Sequence, residues 1–151
     1  MYRAGLTQDQ SSYTVAVSQL APSPTVLLVE DDRDDRQVFA DWLTDAGFRV
    51  MQAYNGMQAL EQAVHAVPDV VVTDLNIPGI DGFELTRRLK LDERTRAVPV
   101  IAVTGYAPFA ADPGRALRAG CDVVLEKPCS RDDLETAIRK LITGERLQPQ
   151  T

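Results

Sequence analysis

Five short apolar segments of this chain alternate with five segments whose apolar residues recur at helical spacing. The apolar segments are residues 25–29, 48–53, 69–74, 99–103 and 122–126. Strands that are apolar along most of their length are typical of parallel sheets buried on both faces. Strands that each lead into a helix predict right-handed crossovers. The pattern therefore predicts an α/β fold with a doubly wound, five-stranded parallel sheet and five flanking helices.

The helical segments carry start and stop signals as well as apolar faces. The predicted capping pairs are Asn55 with Gln58, Asp81 with Glu84, and Ser130 with Asp133. The predicted inner faces are Val38, Phe39, Trp42, Leu43 and Ala46 in the first helix (33–46), Leu60, Ala63, Val64 and Val67 in the second, and Leu134, Ala137, Ile138, Leu141 and Ile142 in the last. The fourth helix should be short, because Asp112 and Pro113 begin it and Gly120 ends it.

The length of 151 residues suits one globular domain with a continuous core. Residues 1–24 are rich in Gln, Ser and Thr and end in Ala-Pro-Ser-Pro, a composition that favours a flexible tail. The patch at 13–17 has the alternative of adding a strand or docking on a partner, but the flexible tail is favoured. We therefore expect a domain at 25–144, followed by a short C-terminal tail at 145–151.

Charge, hydropathy and cysteine spacing narrow the classes of partner. The net charge is -6 and no helix carries a cluster of Lys or Arg, which argues against nucleic acid. No apolar stretch reaches spanning length, and the N-terminus lacks a signal-peptide pattern. Cys121 and Cys129 lack the spacing of a zinc site and are predicted to be free thiols. We expect a soluble, cytoplasmic protein with neither a nucleic-acid nor a membrane partner.

Polar side chains stand at the carboxyl ends of four of the five predicted strands. Glu30 and Asp31 follow the first strand, and Asp74 ends the third. Thr104 and Lys127 stand at the ends of the fourth and fifth. Parallel strands place their carboxyl ends along one edge of the sheet, where α/β folds bind ligands. We therefore expect these five side chains to meet in one site.

The chemistry of that set indicates phosphoryl transfer. Two carboxylates about 4 Å apart repel by roughly 4 kcal/mol at an effective dielectric of about 20, and a divalent cation would offset this repulsion. Oxygen ligands suit Mg²⁺ rather than zinc, and the only histidine, His65, lies on the second predicted helix. A carboxylate can act as a nucleophile and form an acyl phosphate, while Mg²⁺, Lys127 and Thr104 offset or bind the phosphoryl oxygens.

Four motifs carry a resemblance to a known family. They are VLLVEDD at 26–32, DVVVTDLNIPGIDG at 69–82, VTG at 103–105 and EKP at 126–128. In order and spacing, the chain resembles the receiver domain of two-component response regulators from residue 25 to about 143. The resemblance implies a CheY-like sheet in the order 2-1-3-4-5.

The resemblance also implies a role for each residue at the strand ends. Asp74 would be the phosphoacceptor, Thr104 the switch hydroxyl, and Lys127 the partner of the phosphoryl group. The implied ligands of Mg²⁺ are Glu30, Asp31, Asp74 and the backbone carbonyl of Asn76. The peptide bond between Lys127 and Pro128 is expected to be cis.

The chain departs from the family pattern on the side of the fourth helix and fifth strand. Val124 stands three residues before Lys127, where the family commonly has a Tyr or Phe that changes rotamer on activation. Tyr106 lies on the loop after Thr104. We favour the interpretation that it covers the site; the alternative is that it takes over part of the role of the aromatic residue. The stretch between Thr104 and Gly120 is one residue longer than in common members, which predicts a short or displaced fourth helix.

The resemblance implies a histidine kinase or phosphotransfer protein as the phosphoryl donor. We expect the signal to pass to an effector protein, a phosphorelay or a parent chain, because no output domain follows the last predicted helix. The chain is expected to phosphorylate and dephosphorylate itself rather than act as an enzyme on a substrate. One alternative is a receiver-like module that works without phosphorylation, which the missing aromatic favours. The other is an Asp-nucleophile phosphatase of the haloacid dehalogenase type, which Asn76 in place of a second Asp argues against.

Overall fold

The computed structural model describes residues 22–105 and 112–144, which form five strands and five helices. In chain order these are β1 (Thr25–Val29), α1 (Arg33–Asp45), β2 (Arg49–Ala53), α2 (Gly56–His65), β3 (Val70–Thr73), α3 (Gly82–Leu91), β4 (Val100–Thr104), α4 (Pro113–Ala119), β5 (Val123–Glu126) and α5 (Arg131–Ile142). The patch at 13–17, Tyr106 and the segment 145–151 lie outside the described residues. Among the helices of the described ranges, none is long and apolar enough to cross a membrane.

The five strands form one parallel sheet in the order β2-β1-β3-β4-β5, which confirms the predicted fold class and strand order. The central strands β3 and β4 are buried along their whole length, whereas the edge strands β2 and β5 are largely half-buried or exposed. Pairing between β1 and β2 reaches one residue further, because the amide of Arg49 donates to the carbonyl of Pro24 at 2.9 Å. Pro24 therefore takes part in the fold.

Helices cover both faces of the sheet, and each face has its own core, because successive strand residues point to opposite sides. One core joins β1, β3 and β4 to α2, α3 and α4 and includes Leu27, Val71, Val100, Ala59, Ala63, Phe83, Leu85, Leu89 and Ala116. The other joins the same strands to α1 and α5 and includes Leu28, Val72, Ile101, Phe39, Leu43, Leu134 and Ile138. This two-sided packing covers both faces of the sheet and fixes the strands, so the predicted site lies at the edge formed by their carboxyl ends.

The predicted caps form at the helix starts. The side chains of Asn55, Asp81 and Ser130 accept hydrogen bonds from the amides of Gln58, Glu84 and Asp133, respectively. The reciprocal half of the capping box is absent at α3, because the Glu84 carboxylate pairs with Arg87 and Arg88 instead. The fourth helix is short, as predicted, and ends at Gly120 with a positive φ.

Two residues predicted to face the core are exposed. Val38 is 46% exposed and Val67 is 51% exposed. Successive helix residues are rotated by about 100°, so an inner face centred on Phe39 and Leu43 turns Val38 towards solvent. The second helix ends at His65, before Val67 can join its inner face.

Candidate functional site

The residues predicted to form the site are held by backbone hydrogen bonds just beyond the strand ends. The amide of Glu30 donates to the carbonyl of Ala53 at 3.0 Å, and the amide of Asp74 donates to that of Val29 at 3.0 Å. On the other side of the sheet, the amide of Lys127 donates to the carbonyl of Thr104 at 3.0 Å. The strand ladder therefore continues into each of these residues and fixes where its side chain starts.

The ammonium group of Lys127 joins the carboxylates at this edge. It lies 2.5 Å from Oε1 of Glu30 and 2.9 Å from Oδ2 of Asp74. A third acid, Asp35 in the first turn of α1, lies 3.5 Å away through Oδ2. The bond from Lys127 to Pro128 is cis, as the resemblance implied.

Sequence reasoning missed Asp35. The residue is 54% exposed by its side chain, and its position in the first turn of a helix is a common place for an acid that serves only the helix. The available signal was its spacing. Asp35 lies three residues after the N-cap Asp32, on the first turn of the helix that follows the acidic pair.

Both carboxylate oxygens of Asp74 have partners. Oδ1 accepts from the amide of Asn76 at 2.9 Å, and Oδ2 accepts from Lys127. The side chain is 12% exposed, so it faces solvent through a narrow opening. Asp74 is therefore oriented before any ligand arrives, with limited access from outside.

The turn after Asp74 requires a glycine. The amide of Gly82 donates to the carbonyl of Leu75 at 2.9 Å. A Cβ at Gly82 would lie 2.6 Å from the carbonyl oxygen of Asp74 and 2.7 Å from Cα of Leu75. The start of α3 thus packs directly against the backbone that carries Asp74.

Burial and ion pairing shift the pKa values of two groups at this edge. Burial raises the pKa of Glu30 from 4.5 to about 7, and the neighbouring Lys127 ammonium limits the rise. Burial would lower the pKa of Lys127, but its hydrogen bonds to Glu30 and Asp74 outweigh this effect and hold the pKa above the usual 10.5. The ammonium has two carboxylates to pair with, so it stays charged while Glu30, the more deeply buried acid, titrates near neutrality.

The remaining predicted residues flank this ion-paired group. Thr104 is fully buried at the end of β4, whereas Asp31 and Asn76 are exposed. Gly105 lets the Lys127 stem pass close by, since a Cβ there would lie 3.2 Å from Cβ of Lys127. The structure thus brings Glu30, Asp74 and Lys127 into contact and places the other three around them.

The donor set fits magnesium better than a metal caged by protein side chains. In residues 22–105 and 112–144, no three His, Cys, Asp or Glu side chains are grouped so as to hold a metal. Mg²⁺ does not need such a cage, because it usually keeps several waters and takes one or two carboxylates. The side chain of Asp31 makes no hydrogen bond or ion pair with the described part of the chain and could serve as one of them. Glu30, by contrast, is already paired with Lys127.

The position of the missing aromatic is part of the core. Val124 lies in β5 and packs, half-buried, against the cluster formed with α2, α3 and α4. A valine has no ring to swing between a buried and an exposed rotamer. The described residues therefore contain no aromatic side chain at the position where the family commonly has its readout.

The chain matches known proteins in sequence and in fold. Residues 26–139 match the model of the response regulator receiver domain. The polar-differentiation response regulator DivK of Brucella anthropi is 35% identical over 106 residues, which cover 70% of this chain and 85% of that protein.

Solved structures extend the likeness to the fold. The receiver domain of the sensor histidine kinase PA1611 from Pseudomonas aeruginosa PAO1, which has magnesium in its active-site cleft, is 32% identical with a TM-score of 0.75, covering 81% of this chain and 99% of that one. The chemotaxis response regulator CheY4 of Vibrio cholerae is 27% identical with a TM-score of 0.73, covering 80% and 99%. The chain therefore belongs to the response regulator receiver domain family of two-component signalling.

Proposed function

We propose that the chain is a phosphorylatable receiver in which Asp74 accepts a phosphoryl group from a histidine kinase or a phosphotransfer protein. The observation that carries the proposal is the contact of the Lys127 ammonium with both Asp74 and Glu30. It puts a fixed positive charge beside the carboxylate oxygen that would be phosphorylated. Fixed charges aimed at developing negative charge are the main source of catalysis in phosphoryl transfer.

The reaction forms one bond and breaks another. An oxygen of the Asp74 carboxylate attacks the phosphorus of a phosphohistidine, and the bond from phosphorus to the imidazole nitrogen breaks as that nitrogen keeps its electron pair and takes a proton from solvent. The product is an acyl phosphate on Asp74. We assign the attack to Oδ2 because it lies on the Lys127 side, where the ammonium can offset the charge of the phosphoryl oxygens, while Oδ1 accepts from the Asn76 amide.

Magnesium is part of the proposal. Asp31, Asp74 and the backbone carbonyl of Asn76 would hold Mg²⁺. Glu30 would stay paired with the Lys127 ammonium at the same edge of the sheet. When bound, the ion would offset charge on the phosphoryl oxygens. The magnesium described in the cleft of the PA1611 receiver domain supports this assignment.

Phosphorylation would change the balance of charge around Lys127. Phosphorylation replaces the single negative charge of the carboxylate with a group that carries close to two, so the phosphoryl group competes with Glu30 for the ammonium and draws the Thr104 hydroxyl towards itself. Such a change can shift the loop after β5 between two arrangements. We infer that the signal passes to a partner protein and that the chain turns over no substrate beyond its own acyl phosphate.

One experiment tests the proposal directly. The protein is incubated with acetyl phosphate and MgCl₂, and intact mass is followed with Asp74→Asn and with Asp69→Asn as a matched control. Asp69 stands at the opposite end of the same strand, where it accepts from the Thr25 amide. We expect one phosphoryl group on the wild type and on Asp69→Asn and none on Asp74→Asn. When EDTA is present from the start, we expect none on any of the three proteins.

The same experiment separates the second candidate function. A receiver-like module that works without phosphorylation is favoured by Val124 in place of the aromatic. It predicts no incorporation in any variant, together with partner binding that is the same for wild type and Asp74→Asn. Phosphoryl transfer to another residue, seen as equal labelling of Asp74→Asn, would refute the assignment of Asp74.

A further inference from the structure

Arg36, on the second turn of α1, contacts the loop that carries the acidic pair. Its Nη1 donates to the carbonyl of Glu30 at 2.9 Å and lies 3.5 Å from the carbonyl of Asp31. Its guanidinium carbon lies 5.6 Å from the centre of the Tyr54 ring. The side chain is half-buried, and its contacts go to backbone and ring rather than to a carboxylate.

These contacts close a frame around the backbone of one residue, Glu30. The amide of Glu30 is bonded to Ala53, the last residue of β2, and the carbonyl of Glu30 is bonded to Arg36. Tyr54 follows Ala53, and its own amide donates to the side chain of Gln58 at 2.8 Å. The loops after β1 and β2 and the helix α1 are therefore tied together by one guanidinium resting on one ring.

We propose that Arg36, supported by Tyr54, is a positioning residue for the loop after β1, which carries Glu30 and Asp31. It fixes the peptide between Glu30 and Asp31, and so sets the direction in which the Asp31 carboxylate leaves the backbone. The inference rests on the proposed function, because it concerns the same loop. It adds two residues that neither donate to the phosphoryl group nor ligate the metal.

Charge and geometry make opposite predictions for Arg36. A cation this close to an acidic loop repels Mg²⁺, so removing it on electrostatic grounds alone should tighten magnesium binding. Removing a group that holds a ligand in place should weaken binding, as loss of a hydrogen-bonding partner behind a metal ligand generally does. The sign of the change therefore separates a positioning role from a purely electrostatic one.

Arg33 provides a matched control. It is the first residue of α1, is exposed, and makes no ion pair or hydrogen bond with its side chain to the described ranges. Arg33→Met removes the same charge near the same loop without touching the frame. Tyr54→Phe keeps the ring under Arg36, and Tyr54→Ala removes it.

The experiment is isothermal titration calorimetry of the full chain with MgCl₂ at constant pH and ionic strength. We expect Arg36→Met to weaken magnesium binding by roughly threefold to tenfold, below the range for direct partners of a metal ligand because the contact acts through the backbone. Tyr54→Ala should weaken it in the same direction, Arg33→Met should leave it unchanged or tighten it, and Tyr54→Phe should match the wild type. Tighter binding by Arg36→Met, equal to that of Arg33→Met, would overturn the inference.

A second measurement without metal keeps this inference separate from the proposed function. Nitrogen-15 relaxation in EDTA gives order parameters for the amides of Asp31 and Asp32. We expect these to fall in Arg36→Met and to stay at wild-type values in Arg33→Met. If the wild type binds no magnesium, the proposed function fails, while unchanged order parameters in Arg36→Met refute the positioning role by themselves.

Discussion

The carboxyl group of Glu30 keeps its proton to higher pH in the fold than in the unfolded chain, because burial raises its pKa from 4.5 to about 7. Between those two values the folded state binds more protons than the unfolded state, so stability falls as pH rises. Lys127 does not reverse this sign, since its pKa is raised above 10.5 and it stays charged throughout. Without metal, we expect Glu30 to lower the free energy of unfolding by about 1–3 kcal/mol from about pH 5 to about pH 8.

Urea unfolding in EDTA across this range checks the prediction, with Glu30→Gln as the reference. Gln keeps the shape of the side chain but has no proton to lose, so its curve should be flatter than that of the wild type. Parallel pH profiles for the two proteins would show that Glu30 does not titrate in this window.

The two thiols differ in access. Both are free, and burial raises both pKa values, but Cys121 is buried beside the Thr86 hydroxyl whereas Cys129 is half-buried. Because the thiolate is the reactive form, both should react with a disulfide reagent more slowly than a solvent-exposed cysteine whose pKa is not raised. We expect Cys129 to react in the native protein and Cys121 to react only on unfolding. Native Cys129→Ser should then show almost no reaction, and rapid labelling of that variant would contradict the assignment.

At the scale of elements, the contact between α3 and the turn after β3 depends on a glycine, Gly82, which has no side chain. Gly82→Ala would drive a Cβ into backbone atoms of Asp74 and Leu75, which cannot move aside as a side chain can. We expect a loss of about 1–3 kcal/mol in stability, typical of overpacking. Phosphorylation should also slow, because the strain falls on the backbone of Asp74.

Gly114→Ala is the matched control for that substitution. It is the second residue of α4, where the nearest atoms to an added Cβ are the ends of the Arg118 and Asp112 side chains. These side chains can move aside, so this variant should lose much less stability than Gly82→Ala. Equal melting temperatures for Gly82→Ala and the wild type would show that α3 can shift away from the turn.

Helix starts were predictable from sequence because a cap is a local interaction, as at Asn55 and Ser130. The partner that a long, exposed side chain takes is harder to predict. Glu84 had the spacing to complete a capping box, yet its carboxylate pairs with two arginines on its own helix. The alternative partners of an exposed carboxylate differ by small free energies, and residue spacing alone does not predict which of them it pairs with.

At the scale of the whole molecule, the order of elements and the edge that gathers Glu30, Asp74 and Lys127 could be predicted, since parallel topology brings strand ends together. The sequence did not predict that Asp35 would share Lys127, or that Arg36 would rest on Tyr54. Both contacts depend on how α1 is rotated against the sheet. That rotation results from packing across the core and is not encoded in a motif.

The boundary of the folded unit gives the last prediction. Every buried residue of the described ranges lies between Val26 and Ile138, and the family match covers 26–139. Pro24 adds one ladder bond through Arg49. A chain of residues 22–144 keeps all of these contacts, so we expect it to melt within about 2 °C of the full chain, which corresponds to well under 1 kcal/mol for a domain of this size. It should also bind Mg²⁺ and take up one phosphoryl group as the full chain does. Scanning calorimetry and the acetyl phosphate assay measure both, and a fall of several degrees would mean that residues 1–21 or 145–151 contribute contacts to the domain.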